Sequence, residues 1–370
     1  MKSSVLQSGR LSIIVALFIA TLFAPVKHAN GQLGDLGRLF EGGAEDAELL
    51  LQEYLKPFGS GFGAGINSGW IDRANSHGTL GFHLKFNVNT AMVPGSDLQF
   101  DINDLDLNYL RVRQGDGSET PTFAGGSSDR PMLVFQDQPD MEAFRMPNGT
   151  DFSFLGSEMI PTIMVQAGVG LPKNTEIMLR FFPPVSFGDY GEVSLYGLGA
   201  KHELNQWIPG GMFWPVTISA MAGFTSFNSS SNLDQRPGAG YYDEDPENYD
   251  TPGNWDDQEI SLNTNAFTMN LLVGKSLPIL SVYGGVGFET ATTNVEMSGN
   301  YPTINLGYEN GEPVRVLNQL SDPIDISLDG SNTLRALAGV RISLPLITFN
   351  VDYTVADYSM LNVGFGISFR

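Results

Sequence analysis

Residues 334–369 alternate apolar and polar side chains in three consecutive blocks, and a period of two held for so long leaves few folds open. Leu334, Ala336, Ala338, Val340, Ile342 and Leu344 share one side of the first block, with Arg335, Gly339, Arg341 and Ser343 on the other. In the second, Ile347, Phe349, Val351, Tyr353 and Val355 oppose Thr348, Asn350, Asp352 and Thr354. In the third, Leu361, Val363, Phe365, Ile367 and Phe369 oppose Asn362, Gly364, Gly366 and Ser368. Successive side chains of a strand point to opposite faces, and a tilted strand of ~9–11 residues crosses a bilayer. The pattern predicts the closing strands of a transmembrane β-barrel.

The start of the chain agrees. Lys2 and Arg10 precede the apolar run from Leu11 to Ala24, and Ala29, Asn30 and Gly31 make a small-x-small cleavage signal, so residues 1–31 read as a signal peptide with the mature chain starting at Gln32. The apolar run is too short to span a bilayer as a helix. The chain has no cysteine, which excludes a disulfide framework and thiolate-ligated metal. Losing Lys2, Arg10 and Lys27 takes the formal charge from −21 to −24, which argues against a nucleic-acid partner.

Further strands read as 79–90, 161–171, 176–182, 192–204, 216–227, 260–273 and 279–290, joined by connections that alternate in length. Residues 172–175, 274–278 and 345–346 are tight, whereas 91–160, 228–259 and 291–333 are long, the asymmetry of outer-membrane barrels whose long loops face outward. The expected fold is all-β: an antiparallel up-and-down barrel of 10–14 strands spanning residues 78–370, in the outer membrane, with long loops extracellular and termini periplasmic. The strand at 79–90 should pair with the one ending at Phe369, because an open sheet would leave unpaired backbone groups in hydrocarbon at several kcal/mol each.

Residues 32–77 have a different period. Ala47, Leu50, Leu51, Tyr54 and Leu55 fall on one helical face, and Glu45, Asp46, Glu48, Gln52 and Glu53 on the other. Pro57 is expected to stop that helix. Glycines at 59, 61, 63 and 65 alternate with Phe58, Ser60, Phe62 and Ala64, which reads as an extended segment with one bare face for close backbone approach.

Lys85, Arg180, Arg335 and Arg341, with His83, fall on the polar sides of their strands. A charge facing lipid costs ~2–4 kcal/mol at midplane, so these residues are assigned to the lumen. An acidic helix is a natural partner for a basic wall, which makes the segment a plug candidate: Leu51 and Tyr54 packed on protein at the periplasmic mouth, and Glu45, Glu48 or Glu53 paired with a wall cation. The acidic loop 228–259 offers Asp243, Asp245, Asp256 and Asp257 as oxygen ligands for a divalent cation, though without EF-hand spacing; a solvated acidic loop is the bland alternative. Trp207 and Trp214 read as interfacial girdle residues. The three mature histidines, His77, His83 and His202, have no assured serine or carboxylate partner in sequence, so no catalytic group is assigned, no cofactor is expected, and the chain reads as a non-enzyme.

Three stretches resemble an uncharacterised family of outer-membrane barrels from Bacteroidetes-type bacteria: Tyr54-Leu-Lys-Pro-Phe-Gly with Gly61-Phe-Gly-Ala-Gly-Ile-Asn-Ser-Gly-Trp, Ser194-Leu-Tyr-Gly-Leu-Gly-Ala-Lys-His-Glu-Leu-Asn-Gln-Trp-Ile-Pro, and Asp352-Tyr-Thr-Val-Ala-Asp-Tyr. The resemblance implies architecture and location but no activity. The layout of a helical segment before a barrel is also similar to long-chain fatty-acid transporters, although the mature segment lacks their Asn-Pro-Ala start. The functional expectation is a channel or facilitator that passes a small, hydrophobic-leaning solute, with outer-membrane lipid as its surround. The alternative is a structural or surface-interaction barrel whose acidic loops bind cations or partners.

Overall fold

The computed structural model describes residues 43–369 apart from 138, 140, 141, 151, 152, 155, 156, 187–190, 234–254, 256, 310, 311, 331 and 332. Ten strands form one closed antiparallel ring: β1 (Phe82–Met92), β2 (Ser157–Leu171), β3 (Thr175–Ser186), β4 (Glu192–Glu203), β5 (Thr217–Asn232), β6 (Glu259–Ser276), β7 (Leu280–Ser298), β8 (Thr333–Ser343), β9 (Ile347–Val355) and β10 (Met360–Phe369). Each pairs with its neighbours in chain order. The ring closes where β1 meets β10, in a register that sets Phe82 opposite Phe369 and Phe86 opposite Phe365. Closure satisfies every strand edge, as hydrocarbon demands.

The alternation decides facing. Phe82, Val340, Phe349, Phe365 and Ile367 are exposed on the outer wall, together with Leu179, Phe181, Leu198, Phe224, Met269 and Val286 from strands between them, while Arg335 and Arg341 are buried inside. The outside is an apolar belt and the inside is polar, the inversion that a lipid solvent imposes. No helix among the described residues is long and apolar enough to cross a membrane; the crossing belongs to the strands.

One end of the ring carries the tight turns after β2, β6 and β8; the other carries the long connections 93–156, 233–258 and 299–332, shorter than the sequence suggested because β2, β5 and β7 extend several residues further at that end. Among the described residues, the long-loop end contains regular structure of its own. Leu110–Val112, Met132–Phe135 and Glu142–Arg145 form a small sheet, Asn300–Glu309 and Glu312–Ser321 a hairpin, and Ile324–Asp329 pairs with the upper part of β7. These pieces form a cap with its own apolar core, in which Ile102, Leu110, Leu133, Phe135 and Phe144 surround Ala47, Leu50, Leu51 and Tyr54.

Those last four belong to α1 (Ala44–Asn67), which differs from expectation in three ways. It does not stop at Pro57, which lies buried within it. The ring of a proline costs one hydrogen bond and about 3 kcal/mol in an isolated helix, and here the burial of Pro57 and of the helix on either side of it offsets that loss. The glycines are not extended either. Cβ atoms built at Gly59 and Gly63 would meet Leu328 and Ala291, whereas those at Gly61 and Gly65 would meet Ile160 and Thr162. Alternate glycines in a helix split into two i, i+4 pairs on opposite faces, so the helix is pinched between opposing walls: a Cβ added at Gly63 would come within 2.5 Å of Ala291 Cβ, and one at Gly65 within 2.5 Å of Thr162 side-chain atoms. Finally, α1 starts in the cap and descends into the barrel; it does not lie at the tight-turn mouth.

Candidate functional site

The lumen is occupied from end to end by residues 43–81. After Asn67 the chain continues without regular structure, and at about 3.3 Å per residue residues 68–81 are long enough to cover a hydrocarbon core of about 30 Å before β1 turns back. Polar wall residues that point inward, as alternation requires, meet this segment at successive depths.

At the top, the Asp46 carboxylate accepts the backbone N–H groups of Asn108, Tyr109 and Leu110 at 2.7, 3.0 and 2.8 Å, tying the first turn of α1 to the cap. Glu45 accepts from the Asn108 side chain, and Glu53 pairs with Lys56 on its own helix at 3.7 Å. Among the described residues none of Glu45, Glu48 and Glu53 pairs with a lumen-facing Lys or Arg, so the expected plug contacts do not form. The reason is depth: the acidic half of α1 sits in the cap, while the cations line the middle and lower wall. Leu51 and Tyr54 are packed on protein, in the cap core and not at the tight-turn mouth where the plug was expected.

At mid-depth, the carbonyls at the C-terminus of α1 receive the cation that the helix itself lacks, since its last turn has no basic residue. Arg180 donates to Ile66 O and Ser68 O, each at 2.6 Å, and its guanidinium stacks 3.8 Å over the Trp70 ring. Asn89 reaches Gly65 O at 2.9 Å, and Lys85 and Gln166 both donate to Trp70 O at 3.1 Å. A positive group at a helix C-terminus complements its dipole and its unpaired carbonyls. Trp70 fits because β4 and β5 present Gly199 and Gly223 to it; a Cβ at either would come within 2.7 Å of the indole. Beside it is a cavity of about 10 Å³ lined by Ser68, Trp70, Arg335 and Asp352 among others, room for about one water.

Lower down, Arg341 donates to Asp72 at 3.1 Å, while higher on the same strand β8, beside the Trp70 cavity, Arg335 pairs with Glu289 of the adjacent β7 at 2.6 Å and reaches Asn270 of β6 at 3.0 Å. Lys201 bonds to the carbonyls of Arg73 and Asn75 at 3.3 and 3.1 Å. Every lumen candidate named from sequence, Lys85, His83, Arg180, Arg335 and Arg341, is buried here.

A cluster near the tight-turn end was not assembled by sequence reasoning. His77 Nδ1 and His83 Nδ1 lie 3.2 and 3.1 Å from Glu176 Oε1 and 3.4 Å from each other. Glu176 Oε2 is held by Lys201 Nζ and by the backbone N–H of His77, both at 3.2 Å, and His77 Nε2 lies 3.0 Å from Ser368 Oγ. Serine, histidine and carboxylate thus follow in the order of a nucleophilic relay, but His83 shares the same carboxylate oxygen, so the carboxylate does not serve His77 alone. His83 was legible on the polar face of its strand; His77 lies in an aperiodic stretch. His202, half-buried, bonds to Thr175 Oγ1 at 2.8 Å and accepts from Trp207 Nε1 at 2.7 Å. Trp207 and Trp214 are exposed at this end. Of the loop aspartates, Asp243, Asp245 and Asp256 lie outside the described residues, and Asp257 is exposed with a left-handed backbone.

The chain belongs to a family of unknown function, DUF6588, whose model matches residues 9–369. No curated protein matches it. Among solved structures it is similar to the translocator domain of the autotransporter NalP from Neisseria meningitidis, at 11% identity and a TM-score of 0.29 over 80% of this chain and 89% of that one. The transport unit of the autotransporter AIDA-I from Escherichia coli follows at 9% identity and a TM-score of 0.25, over 85% and 99% of the two chains. The outer membrane protease OmpT from Escherichia coli matches at 9% and 0.21, over 78% and 94%. The outer-membrane assignment rests on the ring of strands and its apolar belt.

Proposed function

We propose that this outer-membrane barrel is a self-filled anchor that presents its cap at the cell surface, a structural or surface-interaction protein and not a solute channel or an enzyme. The observation that carries this reading is the continuity of the lumen filling: α1 pinched between β2 and β7, Trp70 seated on Gly199 and Gly223, and Asp72 paired with Arg341. The channel reading, with a small solute passing through, requires residues 43–81 to leave, and separating even one buried ion pair costs about 3–5 kcal/mol. The cap supports the surface role because its packed core is built around α1, so that barrel and cap share one element. The acidic excess of the chain favours a partner with basic groups or bound divalent cations.

Swelling of proteoliposomes in neutral sugars tests this. The purified chain should give no swelling above protein-free vesicles, for sugars of any size. Swelling that falls with sugar size would establish an open pore and reverse the proposal.

A further inference from the structure

We propose that His77, His83 and Glu176 form a binding site for a zinc-class divalent transition ion that fastens the lumen-filling segment to the barrel wall. Zinc bound to imidazole nitrogen and carboxylate oxygen at about 2.0–2.1 Å in a tetrahedron has ligand atoms about 3.3 Å apart, since a tetrahedral edge is about 1.63 bond lengths. The three donor atoms here form a triangle with sides of 3.1, 3.2 and 3.4 Å. They come from three elements: the segment before β1, β1 itself and the start of β3. All three residues are buried, with relative exposures of 2, 4 and 1%.

The surroundings suit the same purpose. A metal-ligating histidine usually has its second ring nitrogen engaged, and His77 Nε2 has Ser368 Oγ at 3.0 Å. Glu176 has its Oε2 held by Lys201 and the His77 N–H, which leaves Oε1 directed at the two imidazoles. Imidazole and carboxylate donors without thiolate suit zinc, and also cobalt, nickel or copper. The Lys201 ammonium opposes a second cation nearby, but it contacts the oxygen that the ion does not need. Three protein donors leave a fourth position for water. Because His77 is the one donor from the lumen-filling segment, the ion links that segment to the wall at the tight-turn end, as Asp46 links it to the cap at the other.

The test uses the full chain, stripped with chelator in detergent, titrated with Zn²⁺ and separately with Co²⁺ as a spectroscopic probe, with heat-modifiable gel migration reporting the folded barrel. Wild type should bind one Zn²⁺ per chain and give the intense visible bands of four-coordinate Co²⁺. His83→Gln and Glu176→Gln should each weaken binding by more than the roughly 10–100-fold that loss of an outer-shell partner costs, while Lys201→Met, which removes no donor, keeps one-to-one binding. A folded wild type that takes up neither ion at one per chain overturns the site, and this readout does not depend on any variant folding. Equal binding by wild type and folded His83→Gln would also overturn it.

Discussion

The Arg180 guanidinium stacks 3.8 Å over the Trp70 ring while donating to the carbonyls of Ile66 and Ser68. One wall residue therefore ends the helix and seats the first large side chain after it. Against β4 and β5 the indole lies close to the backbone, since Gly199 and Gly223 carry no side chain, and Met178, Met221, Leu272 and Leu337 belong to the same buried cluster.

Gly223→Val places branched carbons where the indole lies, 2.7 Å from the Cβ position. Overpacking of this kind typically costs about 1–3 kcal/mol. Urea unfolding in micelles should show a loss in that range, and Trp70→Ala in the same background should recover part of it. An unchanged midpoint for Gly223→Val would mean that Trp70 does not sit against β5.

Arg341→Met leaves Asp72 buried and uncompensated, as Asp72→Leu leaves Arg341. Each single change should cost about 3–5 kcal/mol, whereas the double change Asp72→Leu with Arg341→Met should cost far less, because two apolar groups replace a desolvated pair. A double-mutant cycle on the unfolding free energies reads the difference. Additive losses would show that the two side chains do not meet.

Gly63→Leu tests the pinch on α1. The side chain would collide with Ala291, at 2.5 Å from the Cβ position, and the opposite face cannot yield because Gly65 is as tightly set against Thr162. The helix must shift, and amide exchange in residues 44–67 should rise well above wild type while the barrel strands stay protected. Unchanged exchange would show that the helix has free space on this side.

The strand pattern, ring closure and inward placement of Arg335 and Arg341 were legible because each depends on a period of two that lipid enforces locally, residue by residue. The path of residues 58–81 was not. Glycine at every second position satisfies a strand and a doubly pinched helix equally well, and only the positions of Ala291 and Thr162, far along the chain, decide between them. The depth of α1 escaped for a related reason: the irregular residues 68–81 set it, and no periodicity in them shows how far they reach along the barrel. The His77 cluster needs β1 and β3 side by side before His83 and Glu176 meet, which no local spacing announces.

The proposed surface role requires the cap to face outward and the tight turns to face the periplasm. The chain has no native cysteine, so single cysteines report cleanly. Glu45→Cys, exposed at the cap, should react with a membrane-impermeant maleimide on intact cells, and Lys173→Cys, exposed in the tight turn between β2 and β3, only after the outer membrane is permeabilised. The reverse pattern would invert the barrel and place the cap in the periplasm.

The central claim, that residues 43–81 close the lumen as a fixed part of the fold, is tested most directly by current through single barrels in a planar bilayer. The wild-type chain should insert without conductance steps under applied voltage, and a chain lacking residues 43–67 that still shows heat-modifiable migration should open stepwise. Resolved, ion-selective steps from the wild type would contradict the account.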